Sequence, residues 1–133
     1  MSELKLPEVN RVTLSGRLTR DPEKRYASDG TPVCSFTLAF HRPYRSREGS
    51  WEEHTGFVTV MSYLRLAEVC ALYLRTGSPV LVEGRLQMRE WQTARGEKRQ
   101  SLEVRAESVH FLEKASADAA GSPDAGPTED PSS

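Results

Sequence analysis

The sequence predicts an all-β fold with one helix, arranged as a small five-stranded barrel. Apolar residues alternate with polar ones in several segments, as in strands that bury one face. Glycines lie within and between those segments, where a small sheet must bend sharply. With 133 residues, of which 37% are hydrophobic, the chain can bury one modest core, so a second large domain is excluded.

The first two strands are predicted from even spacing of apolar residues. The first contains three of them, Val12, Leu14 and Leu18. Gly16 interrupts it and indicates a bulge or tight bend, and Asp21-Pro22 ends it. After the turn signal Ser28-Asp29-Gly30, a second strand is predicted over 33–40, with one well-buried face formed by Cys34, Phe36, Leu38 and Phe40.

A polar loop, a third strand and a helix are predicted next. The loop covers residues 42–53, and the β-type run Phe57–Met61 follows it. Segment 64–74 lacks Gly and Pro, and as a helix it places four residues on one face, namely Leu66, Val69, Cys70 and Tyr73. Gly77 is the natural stop for this helix.

Two further strands complete the pattern, at 80–86 and 102–109, with Gly96 in the charged hairpin between them. The order is therefore three strands, one helix and two strands. That order, with glycines at the expected bends, matches the five-stranded OB-fold barrel.

Charge is distributed unevenly along the chain. The net charge is −1, but residues 1–114 hold all 18 basic residues against 15 acidic ones, a net charge of +3. Segment 115–133 carries a net charge of −4 and has no aromatic or large aliphatic residue. We expect it to be a disordered acidic tail, because it cannot bury enough surface to offset chain entropy.

Metal, redox and membrane roles are not indicated. The two cysteines, Cys34 and Cys70, have apolar neighbours and read as core residues. The three histidines, His41, His54 and His110, show no ligand spacing, so no metal or cofactor is expected. No apolar run is long enough to cross a bilayer and the first residues do not resemble a secretory signal, so a cytoplasmic, nucleoid-associated protein is expected.

Several motifs occur together in an order and spacing that identify a family. They are Asn10-Arg11-Val12-Thr13-Leu14-Ser15-Gly16-Arg17-Leu18, Asp21-Pro22-Glu23, Leu66-Ala67-Glu68, Tyr73-Leu74-Arg75, Val82-Glu83-Gly84-Arg85-Leu86 and Trp91. From about Asn10 to Leu112 the chain resembles the bacterial single-stranded DNA-binding proteins. The resemblance implies an OB-fold DNA-binding domain at 10–114, with an N-terminal extension at 1–9 and the tail at 115–133.

The resemblance also implies which residues contact DNA. Bases stack in that family on four aromatic positions, occupied here by Tyr44, Phe57, Tyr63 and Trp91. Its basic positions correspond to Arg25, Arg65, Arg75 and Arg89, whereas Thr59 and Glu90 stand where well-known members have basic residues. Arg42, Arg45 and Arg47 add a basic stretch that suits phosphate, unless it is only a solvated loop.

Each aromatic residue also has a structural interpretation. Trp91 and Tyr44 have charged or Pro neighbours that favour exposure and stacking, whereas Phe57 and Tyr63 flank an apolar strand and fit the core equally well. Trp51 has acidic neighbours that repel phosphate, which favours packing of the loop. Tyr26 is expected to pack on the barrel.

The residues and the resemblance leave three classes of function open. The sequence favours sequence-independent binding and protection of single-stranded DNA in replication, recombination and repair, and the resemblance implies a homotetramer. The alternative is a replication-restart accessory or specialised paralogue that acts mainly through protein contacts. An enzyme is disfavoured, since the acidic residues do not cluster. Binding to replication and repair proteins is possible, but the tail ends Glu129-Asp130-Pro131-Ser132-Ser133 and lacks the Pro-Phe with which the family's tails bind such partners.

Overall fold

The structure is a computed structural model that describes residues 4–112. Within them are six strands: β1 (Val12–Leu18), β2 (Glu23–Tyr26), β3 (Pro32–Arg45), β4 (Trp51–Tyr63), β5 (Pro79–Gln92) and β6 (Lys98–Phe111). The described part also has one helix, α1 (Leu64–Tyr73), between β4 and β5. The predicted tail, 115–133, lies outside the described residues.

Five of the strands close into a barrel. The pairings run β1–β5–β6–β4–β3, and β3 pairs back with β1. β4 and β6 are parallel, and the other barrel pairs are antiparallel. The predicted five-stranded OB-fold barrel with its helix between the third and fourth barrel strands is confirmed. The short strand β2 was not predicted, and it lies outside the barrel, paired with residues 32–35 of β3, on the stretch of that edge that β1 leaves unpaired.

The polar segment 42–53 is not the predicted loop. β3 and β4 stay paired from Ala39–Phe57 out to Arg45–Trp51, and a tight turn joins them, with Ser46 N donating to Ser50 O at 2.8 Å. Main-chain hydrogen bonds extend this pairing without any need for apolar side chains. We call the projecting two-stranded segment, residues 40–56, the arm.

The core is assembled from all five barrel strands and α1. Cys34 and Cys70 are fully buried and free, as predicted. The predicted buried face of the helix was wrong in part, because Tyr73 is 64% exposed. α1 ends at Tyr73, before the predicted stop at Gly77, and Leu74 then takes an extended conformation and enters the core.

Close backbone approach shapes the barrel at two glycines. A Cβ on Gly16 would overlap the Ala39 carbonyl oxygen, which accords with the predicted tight bend in β1. The shift in strand register lies elsewhere, at Glu83/Gly84 in β5.

A helix able to cross a membrane does not occur between residues 4 and 112, since α1 has ten residues.

Candidate nucleic-acid interface

Strand alternation gives the barrel a continuous outer face. On β4, Val60 and Ser62 are buried, so the residues between and beside them point away from the core. Met61 is opposite Ser35 of β3 and next to Arg105 of β6 in the strand pairing. Residues paired side by side share a face, so this outer face extends from β3 through β4 to β6.

A shallow groove lies in the outer face. It is lined by side chains from five strands, including Arg25, Tyr26, Thr37, Thr59, Met61, Arg89 and Glu103. β3 and β4 contribute polar side chains (Ser35, Thr37 and Thr59) and apolar ones (Val33, Phe36 and Met61), and β2 and β5 contribute Arg25 and Arg89. Three arginines (Arg20, Arg25 and Arg89) and three acidic residues (Asp21, Glu23 and Glu103) line the groove. Individual arginines, rather than a net positive charge of the groove, can therefore contact the phosphates of an extended polymer.

Two of the predicted stacking residues lie on the outer face of β4. Phe57 is 64% exposed, and Tyr63, six residues farther along the strand, is half-buried. The guanidinium carbon of Arg105 lies 4.2 Å from the centroid of the Tyr63 ring. The Phe57 ring is therefore open to solvent, whereas the Tyr63 ring is partly covered by Arg105, and neither residue belongs to the buried core.

Trp91 lies on β5, and the residue is 38% exposed. The guanidinium carbon of Arg89 is 4.4 Å from the ring centroid, a cation–π distance. Arg89 Nε also donates to Glu103 Oε2 at 3.2 Å, and Gln87 Nε2 donates to Glu103 Oε1 at 3.2 Å. Glu103 is buried beneath them, so it holds Arg89 between the groove and the Trp91 ring.

Tyr44 lies on the opposite face of the arm from Phe57. The strand partner of Tyr44 is Glu52, and that of Phe57 is Ala39. Tyr44 and Ala39 are an odd number of residues apart on β3, so their side chains lie on opposite faces. The Tyr44 hydroxyl donates to Glu52 Oε1 at 2.7 Å, and the ring makes an edge contact with His54. The hydrogen bond to the Glu52 carboxylate raises the pKa of Tyr44 above its usual range.

The three arginines of the basic stretch are divided between the two faces of the arm and its turn. Arg42 lies 5.9 Å from the Tyr44 ring on one face, and Arg45 lies 5.8 Å from the Trp51 ring on the other. Arg47 is exposed in the turn. Because the arm is paired strand rather than loop, alternate positions send neighbouring side chains to opposite sides.

The remaining predicted phosphate contacts differ in their surroundings. Arg25 lines the groove and pairs with Glu23 at 3.1 Å. Arg65 is exposed in the first turn of α1. Arg75 donates to the carbonyl oxygens of Leu72 and Leu74, which places its guanidinium at the C-terminal end of α1, where the helix dipole favours a cation. Of these three, only Arg25 lies in the groove beside Arg89.

Two predictions about exposed rings were wrong. Tyr26 does not pack on the barrel, because its place on the outlying strand β2 leaves it 63% exposed at the groove. Trp51 does not hold a loop in place by packing, because the segment is a paired arm that contributes nothing to the core, and the residue is 69% exposed. Arg105 was missed, although the alternation Val104-Arg105-Ala106 places it outward between two buried residues.

Comparison with known proteins identifies the family. Residues 9–112 match the model of the single-strand binding protein family. The chain belongs to this family. Among curated relatives, a single-stranded DNA-binding protein of Thermotoga maritima is 46% identical over 105 residues, which are 79% of this chain and 74% of that protein. Single-stranded DNA-binding protein A of Bacillus subtilis is 42% identical over 86% of this chain and 65% of its own length.

Solved structures give the same family and fold. A deletion mutant of the single-stranded DNA-binding protein of Thermus aquaticus superposes with a TM-score of 0.72 at 34% identity, covering 80% of this chain and 52% of that one. A Plasmodium falciparum SSB in complex with ssDNA superposes with a TM-score of 0.72 at 25% identity, covering 83% of this chain and all of that one. The resemblance seen in the sequence motifs is confirmed.

Proposed function

We propose that this protein binds single-stranded DNA without base-sequence preference and performs no chemistry on it. The observation that carries the proposal is a set of exposed or half-buried rings on one outer face, Phe57, Tyr63 and Trp91. Trp91 is on this face because its strand partner Arg99 lies on the same side of β6 as Arg105. Trp91 and Tyr63 each have an arginine beside the ring. Every base has a flat π-face, so stacking tolerates any sequence. The proposal is also supported by the relatives in the same family, which are named single-stranded DNA-binding proteins.

The proposed contacts divide by chemistry. Bases stack along the outer face on Phe57, Tyr63 and Trp91. Tyr44 stacks on a base only where the single-stranded DNA crosses to the other face of the arm. Arg25 and Arg89 contact phosphates at the groove, and Arg42, Arg45 and Arg47 do so along the arm. Arg65 and Arg75 lie at the helix, where Arg75 already donates to two carbonyls and contributes least.

The proposed assembly follows the family. Residues 10–114 form the binding domain, 1–9 an extension and 115–133 an acidic tail, and the protein is a homotetramer that protects strands exposed in replication, recombination and repair. One OB fold covers roughly 4–16 nucleotides, so a longer site requires several barrels. Sedimentation of the free protein tests the tetramer, and a monomeric mass at micromolar concentration would contradict it.

Titration with oligo-dT tests the proposed function through tryptophan fluorescence. We expect quenching at low salt that weakens steeply as salt is added, because each neutralised phosphate releases counterions. A mixed-sequence oligonucleotide should bind with similar affinity, and a duplex much more weakly. Failure to quench at low salt, or equal binding of duplex, would contradict the proposal.

Substitution of Trp91 tests its site. Trp91→Ala should weaken binding by roughly 1–3 kcal/mol, the value of one base–ring stack. Trp91→Phe is the matched control, because it keeps a ring and should recover most of that loss. Equal loss in both variants would show that Trp91 contributes something other than stacking.

A further inference from the structure

Trp51 shares its face of the arm with Phe57. Strand pairing places Trp51 opposite Arg45, Thr55 opposite His41 and Phe57 opposite Ala39. Residues 51, 53, 55 and 57 therefore occupy the same side of β4. Tyr44 and its partner Glu52 lie on the other side.

Aromatic rings recur at equal intervals along this side of β4. Trp51, Phe57 and Tyr63 are each separated by six residues. Six strand residues span roughly 20 Å, and strand twist turns the row gradually rather than moving it to the other face. The row extends the exposed rings of the outer face onto the arm.

Packing does not account for the Trp51 ring. The residue is 69% exposed, and Arg45 is its cation–π neighbour, with the guanidinium carbon 5.8 Å from the ring centroid. At that distance, near the limit of a cation–π contact, much of the ring face remains open. An exposed indole on a polar arm gains little from folding and is well suited to bind a flat partner.

The charges around Trp51 admit a polyanion. Arg45 lies over the ring, and the turn beyond it carries Arg47 and Glu48, whose charges offset each other. Glu53 is the acidic residue on this face, and its carboxylate lies 3.9 Å from His41 Nδ1. Glu52, the other acidic neighbour in the sequence, lies on the opposite face with its carboxylate bonded to Tyr44.

We propose that Trp51 is a further base-stacking residue, which carries the single strand beyond Phe57 and along the arm. The inference rests on the proposed function. Its ligand is a nucleobase of the same strand that lies over Phe57 and Tyr63, with Arg45 beside the adjoining phosphate.

Two single-tryptophan variants test this, because the chain has only Trp51 and Trp91. Trp91→Phe leaves Trp51 as the sole tryptophan, and Trp51→Phe leaves Trp91. With long oligo-dT at low salt, we expect fluorescence quenching in both variants. Quenching in Trp51→Phe without quenching in Trp91→Phe overturns this inference alone, whereas no quenching in either overturns the proposed function as well.

The affinity of Trp51→Ala gives an independent measurement. We expect it to bind long oligo-dT about tenfold more weakly than the unmodified protein, within the range known for loss of one stack. Trp51→Phe should bind more tightly than Trp51→Ala. The midpoint of thermal unfolding should stay unchanged, since the ring is exposed, and unchanged affinity in Trp51→Ala overturns the inference.

Discussion

Arg89 and Glu103 form an ion pair that is buried on one side and open on the other. Arg89 Nε lies 3.2 Å from Glu103 Oε2, and the glutamate side chain is 3% exposed whereas that of the arginine is 53% exposed. The carboxylate therefore depends on Arg89 and Gln87 for its hydrogen bonds. The arginine, in contrast, can also face a phosphate in the groove.

Glu103→Gln should separate stability from binding. The new amide has one oxygen for two donors, so one contact is lost and the free energy of unfolding should fall by about 1–3 kcal/mol. Removal of a negative charge from the groove should tighten oligo-dT binding by about twofold to fivefold at low salt. Urea unfolding and fluorescence titration measure the two effects.

Arg89→Ala is the companion variant. It should lower both stability and DNA affinity, because it leaves the Glu103 carboxylate without its charged partner and removes a cation from the groove. If Glu103→Gln weakens DNA binding as much as Arg89→Ala does, then Glu103 is needed to orient Arg89 and the expected charge effect is wrong.

Leu64→Gly should stabilise the protein. Leu64 has a φ of 61°, a left-handed conformation that costs a non-glycine residue about 1–2 kcal/mol, and its side chain is 61% exposed. Glycine loses more conformational entropy on folding, which offsets part of this gain. The free energy of unfolding should therefore rise by about 0.5–1 kcal/mol. Thermal and urea unfolding give the measurement.

Leu72→Gly is the matched control for that change, because Leu72 is 62% exposed and lies within α1. Its φ is not left-handed, so glycine relieves no strain there and should cost about 1 kcal/mol. Equal effects of the two substitutions would rule out backbone strain at Leu64.

Gly84→Ala should destabilise the barrel severely. A Cβ at Gly84 would overlap the Arg105 carbonyl oxygen at the register shift between β5 and β6. The obstacle is backbone, so the strands must separate, and we expect a loss of about 3 kcal/mol or more, or no folded protein. Gly96→Ala is the control, because a Cβ there would meet no other atom and only the positive φ disfavours alanine. Its free energy of unfolding should fall by only about 1–2 kcal/mol. Comparable losses would refute the steric explanation.

Asp21 should contribute stability that depends on pH. Its Oδ1 accepts hydrogen bonds from Thr76 N at 2.8 Å and from Thr76 Oγ1 at 2.9 Å, which lower the carboxyl pKa below its ordinary value of 3.8. A lowered folded-state pKa means that the contribution is present above the ordinary pKa and is lost as pH falls through the folded-state pKa.

Asp21→Asn tests this through urea unfolding at several pH values. The asparagine oxygen still accepts from Thr76 but carries no charge, so the variant should be less stable than the unmodified protein near neutral pH. The difference should shrink below about pH 4 and disappear in stronger acid. A difference that stays constant down to pH 2 would show that the charge plays no part.

The elements that build the core could be predicted because they carry strong local patterns. Even spacing at Cys34, Phe36, Leu38 and Phe40 indicated a strand with one buried face, and the structure buries the first three and leaves Phe40 half-buried. The arm could not be predicted, since most of its residues are polar and its few aromatic residues do not alternate regularly with them. Its strand pairing comes from main-chain hydrogen bonds that continue outward from the barrel.

The candidate site was predicted mainly through the motifs of the family. Those motifs located Phe57, Tyr63 and Trp91, which the structure leaves exposed or half-buried on the outer face. Trp51 was misjudged because its sequence neighbours are acidic, yet neighbours along a strand point to opposite faces. Glu103 gave no signal of its burial, because that depends on Gln87 and Arg89 from another strand.

The amino-acid sequence by itself determined the fold class, the family and the residue types that could bind a nucleic acid, because alternation and motif spacing are local properties of the chain. Only the tertiary structure decided which rings share a face. That outcome depends on the register between strands distant in sequence, such as Phe57 opposite Ala39 and Tyr44 opposite Glu52. Register is set jointly by backbone hydrogen bonds and by closure of the barrel, so no single segment encodes it.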